Sequence, residues 1–242
     1  ALVKPYYTSK QINRYSVCKK NSEWIIYTDS STNDSISLYP NIQKHLDQFF
    51  KVITSVNKPY GLHRARKKES FEGEKILALR KCVNRPAFSY VNFDSFVSRA
   101  YLIIRTNRVN QKYLTGLLNS TLIKYWLKYK GKMQGANFQI DKEPLQQIPI
   151  AVPAINVQEL IATIVDYVMM ASSTKENLSE LVSNETIALF FEKIIDGCVY
   201  ELYFGEHMKE QEINIIDSAL ELIKSITQLS SDKEKADMIL DV

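Results

Sequence analysis

Short apolar runs, separated by polar turn residues, dominate the first half of the chain. Four of these runs are rich in β-branched and aromatic residues, and they cover residues 24–27, 75–79, 87–91 and 101–105. Side chains of this kind favour a pleated, half-buried surface. The runs therefore predict the strands of a mixed β-sheet.

Helical spacing of apolar residues marks two other segments of this half. One stretch opens at Pro40, and a longer one, predicted as a single helix, runs from about Gln111 to Tyr129. Gly131 ends the longer helix, and residues 132–137 are expected to form a flexible polar loop.

Three prolines, at positions 144, 149 and 153, follow this loop. They predict extended chain from 145 to 152, because proline interrupts helices and restricts the residue before it. Beyond Pro153 the pattern changes to three amphipathic stripes, in residues 157–168, 187–202 and 213–226, each of which predicts a helix.

The pattern predicts an α+β protein in two parts. Residues 1–153 would form a mixed β-sheet domain with peripheral helices, and residues 154–242 a C-terminal α-helical tail. Charge divides the chain near the same place: residues 1–150 contain 25 Lys and Arg against 10 Asp and Glu, a net of +15, while residues 151–242 contain 6 against 17, a net of −11. The basic part has the balance of a nucleic-acid surface, and the acidic tail is expected to lie away from DNA.

Three segments of the basic part are candidates for contact with DNA. The first is a loop that carries His63, Arg64, Arg66, Lys67 and Lys68. Arginine can hold a phosphate or a guanine edge with two parallel hydrogen bonds, and lysine supplies a point charge. An ordinary solvated basic loop would have the same composition.

The second candidate segment follows the strand predicted at 75–79. It carries Arg80, Lys81, Asn84 and Arg85 and ends before a proline, where a loop can present side chains to a groove. The same alternation of residues would also suit a plain sheet surface.

The third candidate segment carries Lys130, Lys132, Gln134 and Asn137. Glycines beside these residues allow the backbone to approach a phosphate, and the two amides have the geometry that recognises adenine. A lysine-rich helix C-terminus, stabilised by the helix dipole, explains the same residues without DNA.

Motifs for catalysis are missing from the sequence. There is no Asn/Asp-Pro-Pro-aromatic motif, no Gly-rich nucleotide-binding turn and no Gly-x-Ser-x-Gly elbow. Glu69, Glu72, Glu74 and Lys75 lack the Glu-x-Lys order of metal-dependent nucleases and are interpreted as solvated turn residues before a strand. We therefore expect no catalytic residue, no metal site and no cofactor within this chain.

The sequence also predicts the cellular location of the protein. Three widely spaced cysteines indicate reduced thiols, and no membrane span or signal peptide is predicted, so we expect a cytoplasmic protein with no membrane partner. The chain opens without a methionine and is expected to be a piece of a longer polypeptide.

Short motifs, taken in order along the chain, carry a resemblance to a known family. The most specific is the stretch 113–120, which reads Tyr-Leu-Thr-Gly-Leu-Leu-Asn-Ser. The other motifs are Lys4-Pro5-Tyr6, Ile12-Asn13-Arg14-Tyr15, Trp24-Ile25-Ile26-Tyr27, Tyr39-Pro40-Asn41-Ile42, His45-Leu46, His63-Arg64-Ala65-Arg66, Phe71-Glu72, Lys75-Ile76, Leu145, Ile148-Pro149-Ile150, Ile195-Asp196 and Val199-Tyr200-Glu201-Leu202-Tyr203. With these motifs the chain resembles the TaqI-like C-terminal specificity (target-recognition) domain of adenine-specific DNA methyltransferases and fused type IIG restriction–modification enzymes.

That resemblance implies a division of labour. This part would recognise a short sequence of double-stranded DNA, mostly in the major groove, and hold a target adenine for flipping. An N-terminal part of the same polypeptide would bind S-adenosylmethionine and methylate adenine N6, and in enzymes that also cut DNA a nuclease part would use Mg²⁺. The family transfers no base-recognising positions, so the candidate residues rest on charge and loop placement.

Two other interpretations fit parts of the same sequence. Half of a type I restriction specificity subunit would also contain the Leu-Leu-Asn-Ser helix and the stretch Pro149-Ile150-Ala151-Val152-Pro153, but would be expected to carry two recognition domains and two long spacer helices. A protein-interaction module would use the acidic tail as its binding element. It would bind DNA only weakly and without regard to sequence.

Overall fold

In the computed structural model, which describes residues 2–242, the strands form three small sheets. The strands are β1 (Val3–Tyr7), β2 (Tyr15–Ser16), β3 (Glu23–Ile26), β4 (Lys75–Leu79), β5 (Lys81–Val83), β6 (Phe88–Val91), β7 (Phe96–Val97), β8 (Tyr101–Ile104), β9 (Lys132–Gln134) and β10 (Asn137–Gln139). The sheet orders are β3–β1–β7, β2–β6–β4–β8 and β5–β10–β9. The predicted strands all occur, and β1, β2, β5, β7, β9 and β10 were not predicted.

Helices surround these sheets and fill the C-terminal part. They are α1 (Thr32–Ser35), α2 (Pro40–Asp47), α3 (Gln111–Asn119), α4 (Thr121–Lys130), α5 (Lys142–Gln146), α6 (Ile155–Ser173), α7 (Asn184–Glu210), α8 (Ile215–Leu222) and α9 (Asp232–Leu240). The predicted α+β class with a helical C-terminal region is confirmed.

Strand β4 separates two hydrophobic cores. Successive side chains of a strand point to opposite faces, so Leu77 packs with the β3–β1–β7 sheet while Ile76 and Ala78 face the helices. Stacked Phe71 and Phe96, with ring centroids 4.6 Å apart, fill the first core. A strand buried on both faces reads as a continuous apolar run, which is why β4 was predicted correctly.

The second core joins the basic and acidic parts. It contains Tyr113 and Leu117 of α3 together with Ile161 and Val165 of α6 and Ile195 of α7. One hydrophobic core thus contains residues from both sides of residue 153, and the division into two parts at that residue stays a prediction. Gly116 allows the close approach of α3 and α6: a Cβ there would lie 2.9 Å from Cγ2 of Ile161 and 3.0 Å from Cγ2 of Val165.

The stretch 113–120 contacts strand β6 and connects α3 to α4. The Asn119 side chain pairs with the backbone of Phe88, donating to its O at 2.8 Å and accepting from its N at 3.1 Å. Ser120 has extended backbone and caps α4 through its hydroxyl, which accepts from Ile123 N at 3.3 Å. The single helix predicted over 111–129 is therefore wrong: it is two helices, because a Ser N-cap begins the second.

Two further local predictions are corrected by the structure. Residues 132–137 form the β9–β10 hairpin and are not a flexible loop. Leu145 and Gln146 lie in α5, although extended chain was predicted from 145 to 152, and Pro144 lies in the first turn of the same helix. A proline is tolerated in the first turn of a helix because the backbone N–H there has no intrahelical partner. The C-terminal region also contains a fourth helix, α9, which begins at a capping box formed by Ser231 and Glu234.

Lys75 was interpreted as a solvated turn residue, and this is wrong. Its side chain is 0% exposed, and its ammonium donates to the backbone O of Gly73 and of Phe93, each at 2.7 Å. Burial lowers the pKa of Lys75 from 10.5 to about 8. A buried ammonium is tolerated here because the two carbonyls replace part of its lost hydration.

This lowered pKa predicts a pH dependence of stability. Above about pH 8 the folded state releases the Lys75 proton, while the unfolded chain keeps it up to its ordinary pKa, so the lysine costs less stability as the pH rises. The test is the difference between the free energy of unfolding of the wild type and that of Lys75→Met, both measured by urea unfolding. This difference should rise by about 2 kcal/mol between about pH 7 and pH 10. A flat or falling difference would contradict the assignment.

Candidate nucleic-acid interface

The sheet β5–β10–β9 brings the second and third candidate segments together. Strand β10 pairs antiparallel with β5 on one side and with β9 on the other. In this register Asn137 lies between Val83 and Gln134, and Gln139 lies between Lys81 and Lys132. Residues that are some fifty positions apart in sequence thus become direct cross-strand neighbours.

The two faces of this sheet differ in character. Cys82, Phe138 and Met133 form the inner row and pack against the second core. The alternate residues form the outer face, which we call the polar sheet face: Lys81, Val83, Lys132, Gln134, Asn137 and Gln139. All of these except the half-buried Gln139 are exposed. Period-two alternation fixes which side chains face outward.

A single carboxylate organises one end of this face. Asp141 accepts from Arg80 Nη2 at 2.8 Å and from Gln139 Nε2 at 3.1 Å, and it lies 3.4 Å from Lys132 Nζ. The hydrogen bond from Arg80 is the main reason that the pKa of Asp141 is below its ordinary value. Arg80, predicted as a DNA contact, is therefore held by an intramolecular partner.

Removing the charge of Asp141 should increase general affinity for DNA. Asp141→Asn leaves Arg80 and Lys132 without a counter-ion, so we expect duplex of unrelated sequence to bind about three- to tenfold more tightly at about 0.1 M salt. Asp237→Asn, an exposed change of the same charge on α9, is the control. Fluorescence anisotropy would measure both, and equal affinities of the two variants would contradict this role of Asp141.

The first candidate segment, the loop 63–68, divides into structural and exposed residues. The Arg66 guanidinium donates to the backbone O of Tyr101 at 3.1 Å, of Val97 at 2.7 Å and of Ser98 at 2.9 Å. Burial lowers the pKa of Arg66. Arg66 therefore holds the loop against the turn between β7 and β8, and the three donors that form these bonds are not free for phosphate.

The remaining side chains of this loop also differ in availability. Lys68 lies 3.6 Å from Asp29 Oδ2, while His63, Arg64 and Lys67 are exposed and form no ion pair or side-chain hydrogen bond with other residues of the range 2–242. Arg64 has φ of 57°, in the left-handed region, so it marks the tip of a tight turn.

Arg85 is also held by the fold. It donates from Nη2 to Glu192 Oε2 at 2.6 Å, and Arg14 pairs with the other oxygen of the same carboxylate. Glu192 lies on α7, so this cluster ties the acidic helices to the basic part. Asn84 follows β5 with φ of 63°, and its backbone N donates at 3.3 Å to the O of Ala136 in the turn between β9 and β10.

The predicted residues thus fall into two groups. Those with an exposed side chain and no ion pair among residues 2–242 are His63, Arg64, Lys67, Lys81, Asn84, Lys130, Gln134 and Asn137. Those with an intramolecular partner are Arg66, Lys68, Arg80, Arg85 and the exposed Lys132. Sequence reasoning missed Val83, Gln139 and Asp141, which share the sheet with the predicted residues. The alternation of apolar and polar residues in a three-residue strand is too short to predict that strand, so their position on the sheet was not predicted.

Most of this chain matches one known domain family. The model of the TaqI-like C-terminal specificity domain matches residues 4–150. The chain belongs to the TaqI-like C-terminal specificity domain family. The match covers all three candidate segments and ends where the charge of the chain changes sign, so the surface described above lies within this specificity domain.

Two individual proteins are similar to this specificity domain. A protein of Methanocaldococcus jannaschii named "Putative type II restriction enzyme and methyltransferase" is 31% identical over 170 residues, which are 66% of this chain and 14% of that protein. The structure of the Type IIL restriction–modification enzyme MmeI in complex with DNA covers 100% of this chain and 31% of its own, with a TM-score of 0.62 and 14% identity. The second likeness shows a shared fold. The chain thus spans a minor part of each protein.

Among residues 2–242, no group of three His, Cys, Asp or Glu is placed to hold a metal ion. Over the same residues, no helix has the length and apolar character needed to cross a bilayer.

Proposed function

We propose that this chain recognises a specific sequence of double-stranded DNA, as the specificity domain of a restriction–modification enzyme. The polar sheet face carries the proposal, because it combines exposed cations with exposed amides on a rigid β-ribbon. Membership of the TaqI-like family, the named activities of the M. jannaschii relative and the fold shared with DNA-bound MmeI support it.

The β9–β10 hairpin suits the major groove of DNA. Neighbouring strands are about 4.8 Å apart, and a groove about 12 Å wide admits a two-stranded β-ribbon. Gln134 and Asn137 form a cross-strand pair at the tip of the hairpin, on either side of a two-residue turn. In this arrangement their amides would bind adenine N6 and N7, and Val83 beside Asn137 would contact a thymine methyl group.

The cations around this face would bind phosphates. Lys81 and Lys132 flank Gln139 at the other end of the sheet, and Lys130 lies at the end of α4, just before β9. His63, Arg64 and Lys67 would contact the backbone from a separate loop. Such contacts fix the register of a protein on the duplex without selecting a sequence.

In the parent enzyme this recognition would position a target adenine for N6-methylation. The methyltransferase domain of the same polypeptide would bind S-adenosylmethionine, and a parent that also cleaves DNA would use Mg²⁺ in a nuclease domain. The residues of this chain do not fit S-adenosylmethionine, since the sequence contains no Gly-rich nucleotide-binding turn and no Asn/Asp-Pro-Pro-aromatic motif. They do not fit a metal ion either, since no group of three His, Cys, Asp or Glu among residues 2–242 is placed to hold one. This specificity domain would therefore contribute recognition and not chemistry.

Selection from a pool of randomised duplexes tests the proposal. The chain should enrich one short sequence, and binding of the selected duplex should weaken with salt along a linear log–log plot. The full-length parent should then methylate adenine within the selected sequence. Enrichment of no sequence, with equal weak binding of all duplexes, would instead favour the interaction module with an acidic tail.

A further inference from the structure

A cleft of about 490 Å³ opens beside the polar sheet face. One wall is the end of β4 and the start of β5, and the opposite wall is the turn between β7 and β8. Its lining consists of Leu79, Arg80, Lys81, Ser98, Arg99, Ala100 and Gln139. We call it the Arg99 cleft. Arg99 belongs to none of the three segments identified from the sequence.

The walls of the Arg99 cleft are fixed by backbone hydrogen bonds. Arg80 N donates to Ala100 O at 2.9 Å, and this bond joins the two walls. Arg80 O accepts from Ile140 N at 2.7 Å, which also ties Arg80 to the chain after β10. The turn is also held from behind by the guanidinium of Arg66, which donates to Val97 O and Ser98 O. A ligand would therefore meet a site that is already formed, which lowers the entropic cost of binding.

Cations dominate the rim of this cleft. Arg80 is paired with Asp141, but Lys81 and Arg99 are exposed and form no ion pair with any residue of the described range 2–242. No carboxylate lines the cleft, and Leu79 and Ala100 are its apolar lining residues. Two unpaired cations beside apolar side chains suit an anion attached to an apolar body.

We propose that the Arg99 cleft binds a sugar–phosphate unit of the DNA backbone, with Arg99 and Lys81 on the phosphate and Leu79 and Ala100 against the deoxyribose. Lys81 belongs both to the cleft and to the polar sheet face, so one duplex can engage both. Lys81 lies two residues along β5 from Val83, which is a distance of about 7 Å. With Val83 against a base in the major groove, this separation would place Lys81 near the phosphates at the edge of the groove. This assignment rests on the proposed function.

Arg99 would accordingly contact DNA without selecting its sequence. A phosphate contact adds about one to the magnitude of the salt slope and strengthens all duplexes alike. A base contact would instead change the ratio of affinities for selected and scrambled duplexes. The two roles can therefore be separated by measurement.

The test uses the 242-residue chain with the selected duplex and a scrambled duplex as probes. Arg99→Ala should weaken both duplexes by about three- to tenfold at about 0.1 M salt, lower the slope by about one and leave their affinity ratio unchanged. Arg99→Lys keeps the charge and should retain most of the slope. The control is Arg108→Ala, an exposed change of equal charge beyond the opposite end of β8.

Each outcome has a distinct meaning. If Arg99→Ala binds like Arg108→Ala while the wild type binds DNA with the expected salt slope, the cleft assignment is overturned and the proposed function stands. A changed ratio of selected to scrambled affinity would also overturn it, because Arg99 would then contact a base. A wild-type chain with no salt-dependent binding to either duplex would overturn the cleft assignment and the proposed function together.

Discussion

Replacing Glu192 with alanine is expected to lower the free energy of unfolding by about 3–5 kcal/mol. Its carboxylate is shared by the guanidinium groups of Arg14 and Arg85, and the side chains of Glu192 and Arg14 are only 15% and 16% exposed. Without it, Arg14 would remain buried with Asn119 O as its remaining hydrogen-bond acceptor. Burial lowers the pKa of Arg14, so the site disfavours an unpaired charge there.

Urea unfolding measures this loss, with Glu206→Ala as the control. Glu206 is exposed, lies on the same helix α7 and forms no ion pair with another residue of the described part of the chain, so its replacement should cost less than about 0.5 kcal/mol. In a double-mutant cycle, Arg85→Ala should cost much less in the Glu192→Ala background than in the wild type. Similar losses for Glu192→Ala and Glu206→Ala would show that the cluster does not join the two parts.

A variant with alanine at Lys81, Lys132, Gln134 and Asn137 is expected to bind the selected duplex about 10²–10³-fold more weakly. Two phosphate contacts and two amide–base contacts are lost, and each good base contact is worth about 1–3 kcal/mol of discrimination. All four side chains are exposed on the polar sheet face, so the fold should persist. Anisotropy titrations against salt would measure the loss.

The two halves of this variant should separate in their effects. Lys81→Ala with Lys132→Ala should lower the salt slope by about two and weaken selected and scrambled duplexes alike. Gln134→Ala with Asn137→Ala should leave the salt slope unchanged and reduce the preference for the selected sequence. The control is Lys209→Ala with Lys233→Ala, two exposed cations of the acidic helices. Loss of preference in the lysine pair alone would reverse the assignment of roles.

Local sequence predicted the elements whose signal is strong and continuous. The strands at 75–79, 87–91 and 101–105 were predicted because apolar runs of this length have few other solutions, and the helices α2, α6 and α7 because their apolar spacing is regular. The short strands β5, β9 and β10 were missed. With three residues each, they depend on their partners for stability and carry almost no intrinsic signal.

The candidate site shows the same limit. Sequence identified two basic segments, 80–85 and 130–137, but not that β5 and β10 pair and place them on one sheet. It also could not separate free cations from structural ones. Arg66, Arg80 and Arg85 have the same charge as Lys81, yet their donors are bound to backbone carbonyls, Asp141 and Glu192. Partners distant in sequence decide which charges remain available.

The family, the α+β class and the charge division between residues 1–150 and 151–242 follow from the sequence alone, because composition, apolar periodicity and motif order are properties of the chain itself. The polar sheet face, the Arg99 cleft and the Glu192 cluster follow only from the tertiary structure. Each is made by residues that are far apart in sequence, and long-range pairing, which no local pattern encodes, brings them into contact.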